Sequence, residues 1–392
     1  MAFNLWTDCP RIPITQLLSF IVDNRGKTVP TAPTGRKLIA TNCVTNKTLF
    51  PVYEKVRYLS EETYQTWFRA HPKPGDILFV NKGTPGRVCM VPDPVDFCIA
   101  QDMIALRADS SKIYNKFLFA VLRSNEIQQQ IYNTNVGDVI PHFKKQFMDQ
   151  LQIPVPDMAV QKAIGDFYYD ISYKIEICNK INDNLQQQAL AIYSSMFSPE
   201  NAVNATAGVL KDIAEITMGQ SPRGSSYNED GTGEVFYQGR AEFGARFPTR
   251  RLFTTEPKRM AEVGDVLMSV RAPVGDLNVA YERCCIGRGL GAIHSKTGHQ
   301  SFVLYTMFAL RPELDVFNGE GTVFGSINRD ALNNMPIMIP SAEDLDAFES
   351  VVSPMDAMIR RNYEENCRLQ DARDSLLPRL MSGEIDVSDV QI

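Results

Sequence analysis

Residues that can carry catalysis or bind a metal are present in this sequence, but their spacing matches no familiar pattern. The four histidines show neither the helical spacing of metal ligands nor a neighbouring cysteine pair, so no metal site is predicted. Gly26-Lys27-Thr28 matches the end of a phosphate-binding loop, yet Ile21 stands where that motif requires its first glycine. No Gly-x-Ser-x-Gly turn, which would expose a nucleophilic serine, is present. We therefore expect no catalytic centre in this chain.

One glycine-rich segment, Phe317-Asn318-Gly319-Glu320-Gly321, has the Phe-x-Gly-x-Gly pattern of the cofactor loop in adenosylmethionine-dependent methyltransferases. An enzyme of that kind acting on an exocyclic amine would also carry an Asp/Asn-Pro-Pro-aromatic motif. No Pro-Pro pair occurs anywhere in the sequence. We interpret the segment as a glycine-rich turn and expect no cofactor on this chain.

Composition favours two domains in a reducing compartment. The chain has 392 residues, 44% of them hydrophobic and 22% charged, which is long for one domain. No apolar run reaches the roughly 18 residues that a membrane span needs, and no signal peptide is evident. The eight cysteines include no Cys-x-x-Cys spacing, and the adjacent Cys284-Cys285 fits a buried strand. We expect a cytoplasmic protein with free thiols.

The strongest signal is an internal repeat of a whole domain. Three short motifs each return once at nearly the same offset, which shrinks slowly along the chain as small loop deletions would cause. The repeated motifs are Gly75-Asp76-Ile77-Leu78 and Gly264-Asp265-Val266-Leu267, Cys98-Ile99 and Cys285-Ile286, and Ile153-Pro154-Val155-Pro156 and Ile337-Met338-Ile339-Pro340.

Each repeat is followed by a helical seam in which apolar spacings alternate between four and three residues, as in a coiled coil. The first seam comprises Ile164, Tyr168, Ile171, Ile175, Cys178, Asn182, Leu185, Ala189, Ile192 and Met196. The second seam lies at the same offset as the last repeated motif and comprises Phe348, Val352, Met355, Ile359, Asn362, Asn366, Leu369, Arg373, Leu376 and Leu380. Because Asn366 matches Asn182, we expect a buried asparagine pair that fixes register.

These patterns predict an α/β protein of two pseudo-repeated mixed α/β domains, separated by two long helices that form an antiparallel coiled coil. The boundaries are a first domain at 1–157, a first helix at 158–200, a second domain at 205–340, a second helix at 341–383 and a tail at 384–392. Residues 76–80 and 265–270 read as strands, and residues 116–132 and 300–310 read as helices. Pro354 should bend or start the second helix, and Gly383 should end it.

The net charge of −6 argues by itself against a nucleic-acid partner, but the charge is unevenly distributed. The first domain carries +4 and the second −1, whereas the first helix carries −2 and the region from 341 to the end carries −7. Two local basic clusters are candidates for phosphate contact. They are Arg25, Lys27, Arg36 and Lys37 in the first domain, and Arg240, Arg246, Arg250, Arg251, Lys258 and Arg259 in the second.

Two similar domains joined by paired helices suit a bipartite target. The seam from 164 to 196 spans 33 residues, which is about 50 Å at 1.5 Å per residue. That length corresponds to roughly 15 base pairs of DNA. The helices would thus act as a spacer between two reading domains.

Two segments carry a resemblance to a known family. Met218-Gly219-Gln220-Ser221-Pro222-Arg223-Gly224 resembles the start of a target-recognition domain in the specificity subunits of type I restriction-modification systems. Residues 376–385 closely resemble the end of that family's second conserved helix. The repeat and the architecture fit as well, so the resemblance covers nearly the whole chain.

The resemblance implies a non-catalytic subunit that reads a bipartite sequence in double-stranded DNA. It implies two methyltransferase subunits as partners, which would flip target adenines for N6 methylation. Motor-endonuclease subunits could join to cleave unmodified DNA. S-adenosylmethionine, ATP and Mg²⁺ would belong to those partners.

Glycine-flanked loops hold the residues that we expect to contact DNA, because arginine and lysine read guanine edges while asparagine and glutamine read adenine edges. The candidates in the second domain are Ser221, Arg223, Gln238, Arg240, Arg271, Arg288, Asn328 and Arg329. Those in the first domain are Arg25, Lys27, Asn81, Lys82, Arg87 and Gln101. Lys144 and Lys145 are expected to contact phosphates.

Two other function classes remain open on the sequence. One is a methyltransferase or nuclease acting alone, which a methyl-transfer assay on the isolated chain would reveal. The other is a coiled-coil scaffold that never touches DNA, which salt-sensitive binding to duplex DNA would exclude.

Overall fold

The computed structural model describes residues 4–23, 27–134, 141–198, 201, 204–319 and 325–385. The chain forms two compact units, one of Met1–Lys180 with Asn362–Ile392 and the other of Ile181–Arg361. Each unit holds one α/β domain and a segment from each of two long helices. Among the described helices, none is both long and apolar enough to cross a lipid bilayer.

In its described residues, the first unit is built on nine short strands with helices packed against them. Its strands are β1 (Arg11–Pro13), β2 (Leu18–Asp23), β3 (Arg36–Ile39), β4 (Arg57–Leu59), β5 (Ile77–Val80), β6 (Val88–Met90), β7 (Phe97–Ile99), β8 (Met103–Ala108) and β9 (Gln152–Pro154). Its helices are α1 (Leu5–Asp8), α2 (Glu61–Thr66), α3 (Asn115–Arg123), α4 (Asn125–Thr134) and the beginning of α5 (Met158–Met196).

The strands of the first unit make three sheets. An antiparallel four-stranded sheet has the order β2-β8-β5-β6, and a three-stranded sheet has the order β4-β3-β7 with β3 parallel to β7. β1 pairs with β9 and so ties the start of the domain to the strand that leads into α5. The core lies between the four-stranded sheet and α3, whose residues 117–122 are all buried.

The second unit repeats this plan with two added strands. Its strands are β10 (Thr206–Val209), β11 (Ala214–Met218), β12 (Tyr227–Asn228), β13 (Glu234–Tyr237), β14 (Leu252–Thr254), β15 (Met260–Ala261), β16 (Val266–Ser269), β17 (Leu277–Val279), β18 (Cys284–Ile286), β19 (Leu290–Ser295) and β20 (Pro336–Ile339). Its helices are α6 (Leu210–Ile213), α7 (Gln300–Ala309), α8 (Arg311–Asp315), α9 (Arg329–Asn333) and the beginning of α10 (Ala342–Met381).

The two units share one topology. The order β11-β19-β16-β17 matches β2-β8-β5-β6, and β13 runs parallel to β18 as β3 does to β7. The predicted strands at 76–80 and 265–270 are the central strands β5 and β16. The domain repeat inferred from short motifs therefore reflects the same fold, and Cys284-Cys285 is a buried strand pair of free thiols, as expected.

The two long helices pair in antiparallel fashion along the predicted seam. In the first unit, Asn366 donates from Nδ2 to Asn179 Oδ1 at 2.8 Å, and Arg373 donates to Ser172 Oγ at 3.5 Å, so residue numbers rise in α5 as they fall in α10. Every predicted seam position is buried or half-buried. The antiparallel pairing of two long helices is thus confirmed.

Two sequence expectations about helices were wrong in detail, and one of the two alternatives for Pro354 is excluded. The Nδ2 group of Asn366 bonds Asn179 rather than Asn182, because repeat-equivalent residues of an antiparallel pair lie opposite each other at one point only. α10 begins at Ala342 and continues without interruption through Pro354, so the proline does not start the helix. The predicted helix at 116–132 is two helices that meet at Ser124, whose extended backbone breaks the first one.

The end of α10 follows the expectation from sequence. The helix ends at Met381, and Gly383 has a left-handed backbone with φ of +74°. The amide of Gly383 donates to the Leu380 carbonyl and that of Glu384 donates to the Arg379 carbonyl, which satisfies carbonyl groups of the last turn. Glycine adopts this conformation without the steric cost that a side chain would add.

The two domains contact the long helices differently. In the first unit, Gly165 of α5 lies so close to α3 that an added Cβ would stand 2.6 Å from the Phe117 nitrogen. The repeat-equivalent position in α10 is Glu349, which accepts hydrogen bonds from the amides of Ser301 and Phe302 at the start of α7. One junction is therefore close backbone packing, and the other is a carboxylate cap.

Candidate nucleic-acid interface

In the first domain, several loops meet at one edge of the four-stranded sheet, which we call the first loop edge. It comprises the end of β2, the β5–β6 loop (81–87), the β7–β8 turn (100–102) and the segment 141–145. The amides of Asn81 and Lys82 donate to the Asp102 carbonyl at 3.0 and 3.3 Å. The amide of Gly83 donates to the Pro141 carbonyl at 2.9 Å, which joins the last segment to the loop.

Most of the candidate residues of the first domain lie on this edge. Lys82, Asn81 and Gln101 are half-buried, and Arg87 is exposed. Lys144 and Lys145 are exposed in the adjoining segment, where Lys145 forms an ion pair with Asp23 at the end of β2.

Two candidates of the first domain remain. Lys27 is exposed, four residues beyond the end of β2. Arg25 falls outside the described residues.

The second domain has a corresponding second loop edge, made by the end of β11, the turn after β13, the β16–β17 loop, the turn before β19 and the segment 325–329. The amide of Gly219 donates to the Leu290 carbonyl, that of Val270 to the Gly289 carbonyl and that of Ala272 to the Gly325 carbonyl, each at 2.9 to 3.0 Å. Backbone hydrogen bonds thus connect these loops in the same order as in the first domain.

The second loop edge gathers five of the candidate residues of its domain. Gln238, Arg240 and Arg271 line one cavity of about 300 Å³, which also contains Glu242. The amide of Arg288 donates to Ser221 Oγ at 3.2 Å, which places both residues beside this cavity's Gly289 wall.

The remaining candidates differ in whether their side chains are used in holding the fold together. Asn328 caps α9, since its Oδ1 accepts from the Ala331 amide at 2.8 Å, so this oxygen is committed to the fold. Arg223 and Arg329 are exposed.

Ion pairing separates the candidate cations into two groups. Lys145 pairs with Asp23 and Arg240 with Asp276, within the described part of the chain. The other basic candidates have no carboxylate partner among the residues that the structure describes. They are Lys27, Lys82, Arg87, Lys144, Arg223, Arg271, Arg288 and Arg329.

The basic clusters proposed from sequence are largely neutralised by carboxylates that are distant in sequence. In the second domain, Arg246 pairs with Asp356, Arg250 with Glu282 and Arg251 with Glu242. In the first domain, Arg36 pairs with Glu61 and Lys37 with Asp96. Most of the charges in these clusters are therefore compensated where the chain folds back on them.

The pairings also shift the pKa of three of these arginine side chains. The hydrogen bonds to Glu61, Glu282 and Glu242 raise the pKa of the Arg36, Arg250 and Arg251 guanidinium groups. These arginines stay charged, and each charge is compensated by a carboxylate. Basic side chains without a carboxylate partner among the described residues are present on both loop edges, among them Lys82 and Arg87 on the first and Arg271 and Arg288 on the second.

Sequence reasoning missed two residues of the loop edges, His142 and Ser326. A single antiparallel backbone bridge joins Lys82 to His142, and another joins Arg271 to Ser326. The signal was available, because His142 and Ser326 are separated by the same offset that relates the two seams.

Groups suited to metal binding or nucleophilic chemistry do not gather at either edge. Within the described ranges, no three histidine, cysteine, aspartate or glutamate side chains are placed to hold a metal ion. Burial raises the pKa of the Cys98 thiol to about 12, so it is protonated at neutral pH.

Two copies of one α/β scaffold, each with a basic loop edge and each joined to long helices, define a tandem recognition-domain protein. The family model for the type I restriction modification DNA specificity domain matches residues 31–187 and 206–359. The chain therefore belongs to the type I restriction-modification specificity family.

Individual relatives agree with this assignment. The chain is 29% identical over 339 residues to a Methanocaldococcus jannaschii protein named as the putative specificity subunit of the type I restriction enzyme MjaX, covering 80% of this chain and 79% of that one. It is 23% identical to the HindI type I restriction enzyme specificity subunit of Haemophilus influenzae, covering 80% and 87%. The solved type I restriction-modification S subunit from M. genitalium has the same fold, with a TM-score of 0.61 at 14% identity over 95% and 96% of the chains.

Proposed function

We propose that this chain is the DNA sequence-recognition subunit of a type I restriction-modification complex, in which each domain reads one half of a bipartite target. One observation carries the proposal: in the described residues, both domains hold amide side chains and basic side chains without a carboxylate partner at the same edge of the same scaffold. Lys82 and Gln101 do so in the first domain, and Arg271 and Gln238 in the second. Basic groups contact phosphates and guanine, and amides distinguish adenine.

The long helices complete the proposal in two ways. They would set the separation between the half-sites, as a rigid spacer joins two reading modules. They would also offer one docking position per unit, which suits two methyltransferase subunits, with motor-endonuclease subunits as further partners. Such a complex would work on chromosomal and invading DNA in the cytoplasm.

The chemistry of modification would reside on the partners. S-adenosylmethionine would bind the methyltransferase subunits, and ATP and Mg²⁺ would bind the motor-endonuclease subunits. This chain would contribute positioning alone, since it holds the partners over adenines in the two half-sites. We accordingly expect no methyl transfer by the isolated chain.

Methylome sequencing tests the proposal most simply. The chain and its methyltransferase partner are expressed together in a host without other adenine methylation, and the same host receives the partner alone as the control. We expect a split motif with N6-methyladenine in each half that is present only with this chain. An unchanged methylome would contradict the proposal.

A binding measurement separates the proposal from a scaffold role. The complex of this chain with its methyltransferase partner should bind the identified motif in duplex DNA more tightly than a scrambled duplex. The affinity should fall as salt rises, because phosphate contacts release counterions. Equal affinity for both duplexes at every salt concentration would favour the scaffold.

A further inference from the structure

We propose that Lys82 and Arg271 are twin specificity-determining residues, each of which reads the guanine of a G·C pair in its own half-site. This inference rests on the proposed function and narrows it to two positions. Sixteen residues are candidates for DNA contact by type and loop position, and beyond assigning Lys144 and Lys145 to phosphates the sequence gives no reason to rank them. Lys82 and Arg271 are singled out because they are basic residues at repeat-equivalent positions, their backbones are held on both flanks, and neither has a carboxylate partner among the described residues.

The backbone of Lys82 is fixed on both flanks. Its amide donates to the Asp102 carbonyl, and the bridge to His142 pairs it with a second segment. Its neighbours are held as well, because the Phe143 amide donates to the Asn81 carbonyl at 2.8 Å and the Gly83 amide donates to the Pro141 carbonyl. Lys82 is therefore a rigid point on a loop.

Arg271 is held in the same way by different residues. The bridge to Ser326 matches the bridge to His142, and the Ile327 amide donates to the Val270 carbonyl at 3.1 Å. The Ala272 amide donates to the Gly325 carbonyl at 3.0 Å. Both loops close with a glycine amide bonded back to the central strand, from Gly86 to Val80 and from Gly275 to Ser269.

The side chains of both residues are uncommitted. Neither forms an ion pair with any residue that the structure describes, and Arg271 is exposed at the cavity that it shares with Gln238. The carboxylates nearest in the second loop edge are occupied, since Glu242 holds Arg251 and Asp276 holds Arg240 and Arg311. Because the backbone is already held, binding has to order the side chain alone, which lowers the entropy cost of the contact.

Guanine is the base whose edge best matches a free cationic side chain. Its major-groove edge presents two acceptors, O6 and N7, which arginine binds in bidentate fashion and lysine also contacts. The other three bases each present at least one feature that does not accept from a cation in this way. The equivalent position in both domains therefore selects the same base by related chemistry.

The test compares variants of these residues with basic neighbours on the same edge. Arg271→Ala, Lys82→Ala, Arg329→Ala and Lys144→Ala are each produced in the full complex with the methyltransferase partner, and the methylome is sequenced. Arg329 and Lys144 are exposed basic residues that follow shortly after the bridged Ser326 and His142, so they serve as matched controls.

We expect Arg271→Ala to relax one G·C position in one half-site and Lys82→Ala to relax one G·C position in the other. The preference for guanine there should fall by about 5- to 150-fold. The controls should lower methylation at all sites without altering the motif, as phosphate contacts do. If Arg271→Ala lowers methylation uniformly, or relaxes a position other than G·C, the proposal is overturned.

Arg271→Gln keeps the test decisive where the alanine variant gives no stable complex. Glutamine pairs with adenine, so the relaxed position should shift from guanine towards adenine. Retained guanine preference in this variant would overturn the proposal. A wild-type chain that directs no split motif at all would overturn the proposed function itself, whereas a split motif without these two guanine positions would overturn only this inference.

Discussion

The first and second domains share a scaffold but differ in the side chains that complete it, and the buried aspartate at the start of each central strand shows this most clearly. Asp76 caps the Lys73 amide and receives a two-point ion pair from Arg107, at 2.9 and 2.8 Å. Asp265 caps the Glu262 amide in the same way, but its partner is His294, 2.6 Å from its Oδ1.

The comparison teaches that backbone hydrogen bonds, rather than particular side chains, define the repeat. The paired loops, the parallel β3/β7 and β13/β18 strands and the two bridges recur, while Arg107 is replaced by His294 and Gly165 by Glu349. The seam differs too, because Arg373 in the first unit stands where Ala189 stands in the second. The backbone arrangement is therefore retained although these side chains differ between the two domains.

The largest expected effect comes from the aromatic cluster of the second unit. Phe348 is fully buried against Tyr193, Phe197 and Phe302. Phe348→Ala should lower the free energy of unfolding by about 4 kcal/mol, because it removes a large side chain and leaves a cavity. Urea denaturation measures this change. Val351→Ala, at an exposed position of the same helix, should change it by less than about 0.5 kcal/mol; similar losses for both would contradict the cluster's role.

The second-largest expected effect comes from the ion pair between Asp76 and Arg107 in the first domain. Asp76→Asn leaves Arg107, which is only a quarter exposed, without its carboxylate, so we expect a loss of about 3 kcal/mol. Glu61→Gln is the control, since it breaks the exposed pair with Arg36 and should cost much less. Chemical denaturation of the two variants measures both losses in the free energy of unfolding. Equal losses would contradict this prediction.

Gly165→Ala tests whether the junction of α5 with α3 depends on close backbone packing. An added Cβ would press on the backbone of α3 at Phe117, so we expect a loss of about 2 kcal/mol in the first unit. Gly224→Ala, where a Cβ meets no atom within 4 Å, should be close to neutral. Thermal unfolding compares them, and an unchanged midpoint for Gly165→Ala would show that α5 can move away freely.

The smallest expected effect is a pH dependence of the free energy of unfolding that arises from Asp265 in the second domain. Burial raises the pKa of Asp265 above its usual range. The contribution of Asp265 to stability is therefore present in full below about pH 4 and is lost as pH rises through the raised pKa. His294→Arg gives Asp265 an arginine partner like Arg107 in the first domain. This change should lower the pKa of Asp265 and reduce the stability that is lost as pH rises.

Urea midpoints between about pH 4 and 7 measure this dependence for wild type, His294→Arg and Asp265→Asn. Asparagine does not titrate, so the Asp265→Asn profile should lack the contribution. Identical profiles for wild type and Asp265→Asn would refute the assignment to this carboxyl group.

The fold was predictable from sequence where the signal is periodic or repeated. The alternation of four and three residues from Ile164 to Met196 specifies one helix face, and the same face recurs in the second repeat from Phe348 onwards. The Gly-Asp motifs mark the turns before β5 and β16, because each aspartate caps its own turn locally. Local chemistry of this kind can be read without coordinates.

Features that depend on distant partners could not be predicted. Arg246 looks like a surface cation in the sequence, but it is buried and paired with Asp356, 110 residues away. The register that brings Asn366 to Asn179 depends on how two helices slide against each other, which neither helix specifies alone. Which loop cations stay free is decided by the same long-range pairing, so the sequence could name the candidates but could not rank them.

The most direct test of the central claim, that two equivalent domains each read half of one target, is to replace residues 205–340 by a second copy of residues 10–156. The methylome of cells that express this chain with the methyltransferase partner is then sequenced. The account predicts a motif made of two copies of one half-site, since both domains would then carry the same reading residues. A motif that keeps the original second half, or one with two unrelated halves, would contradict it.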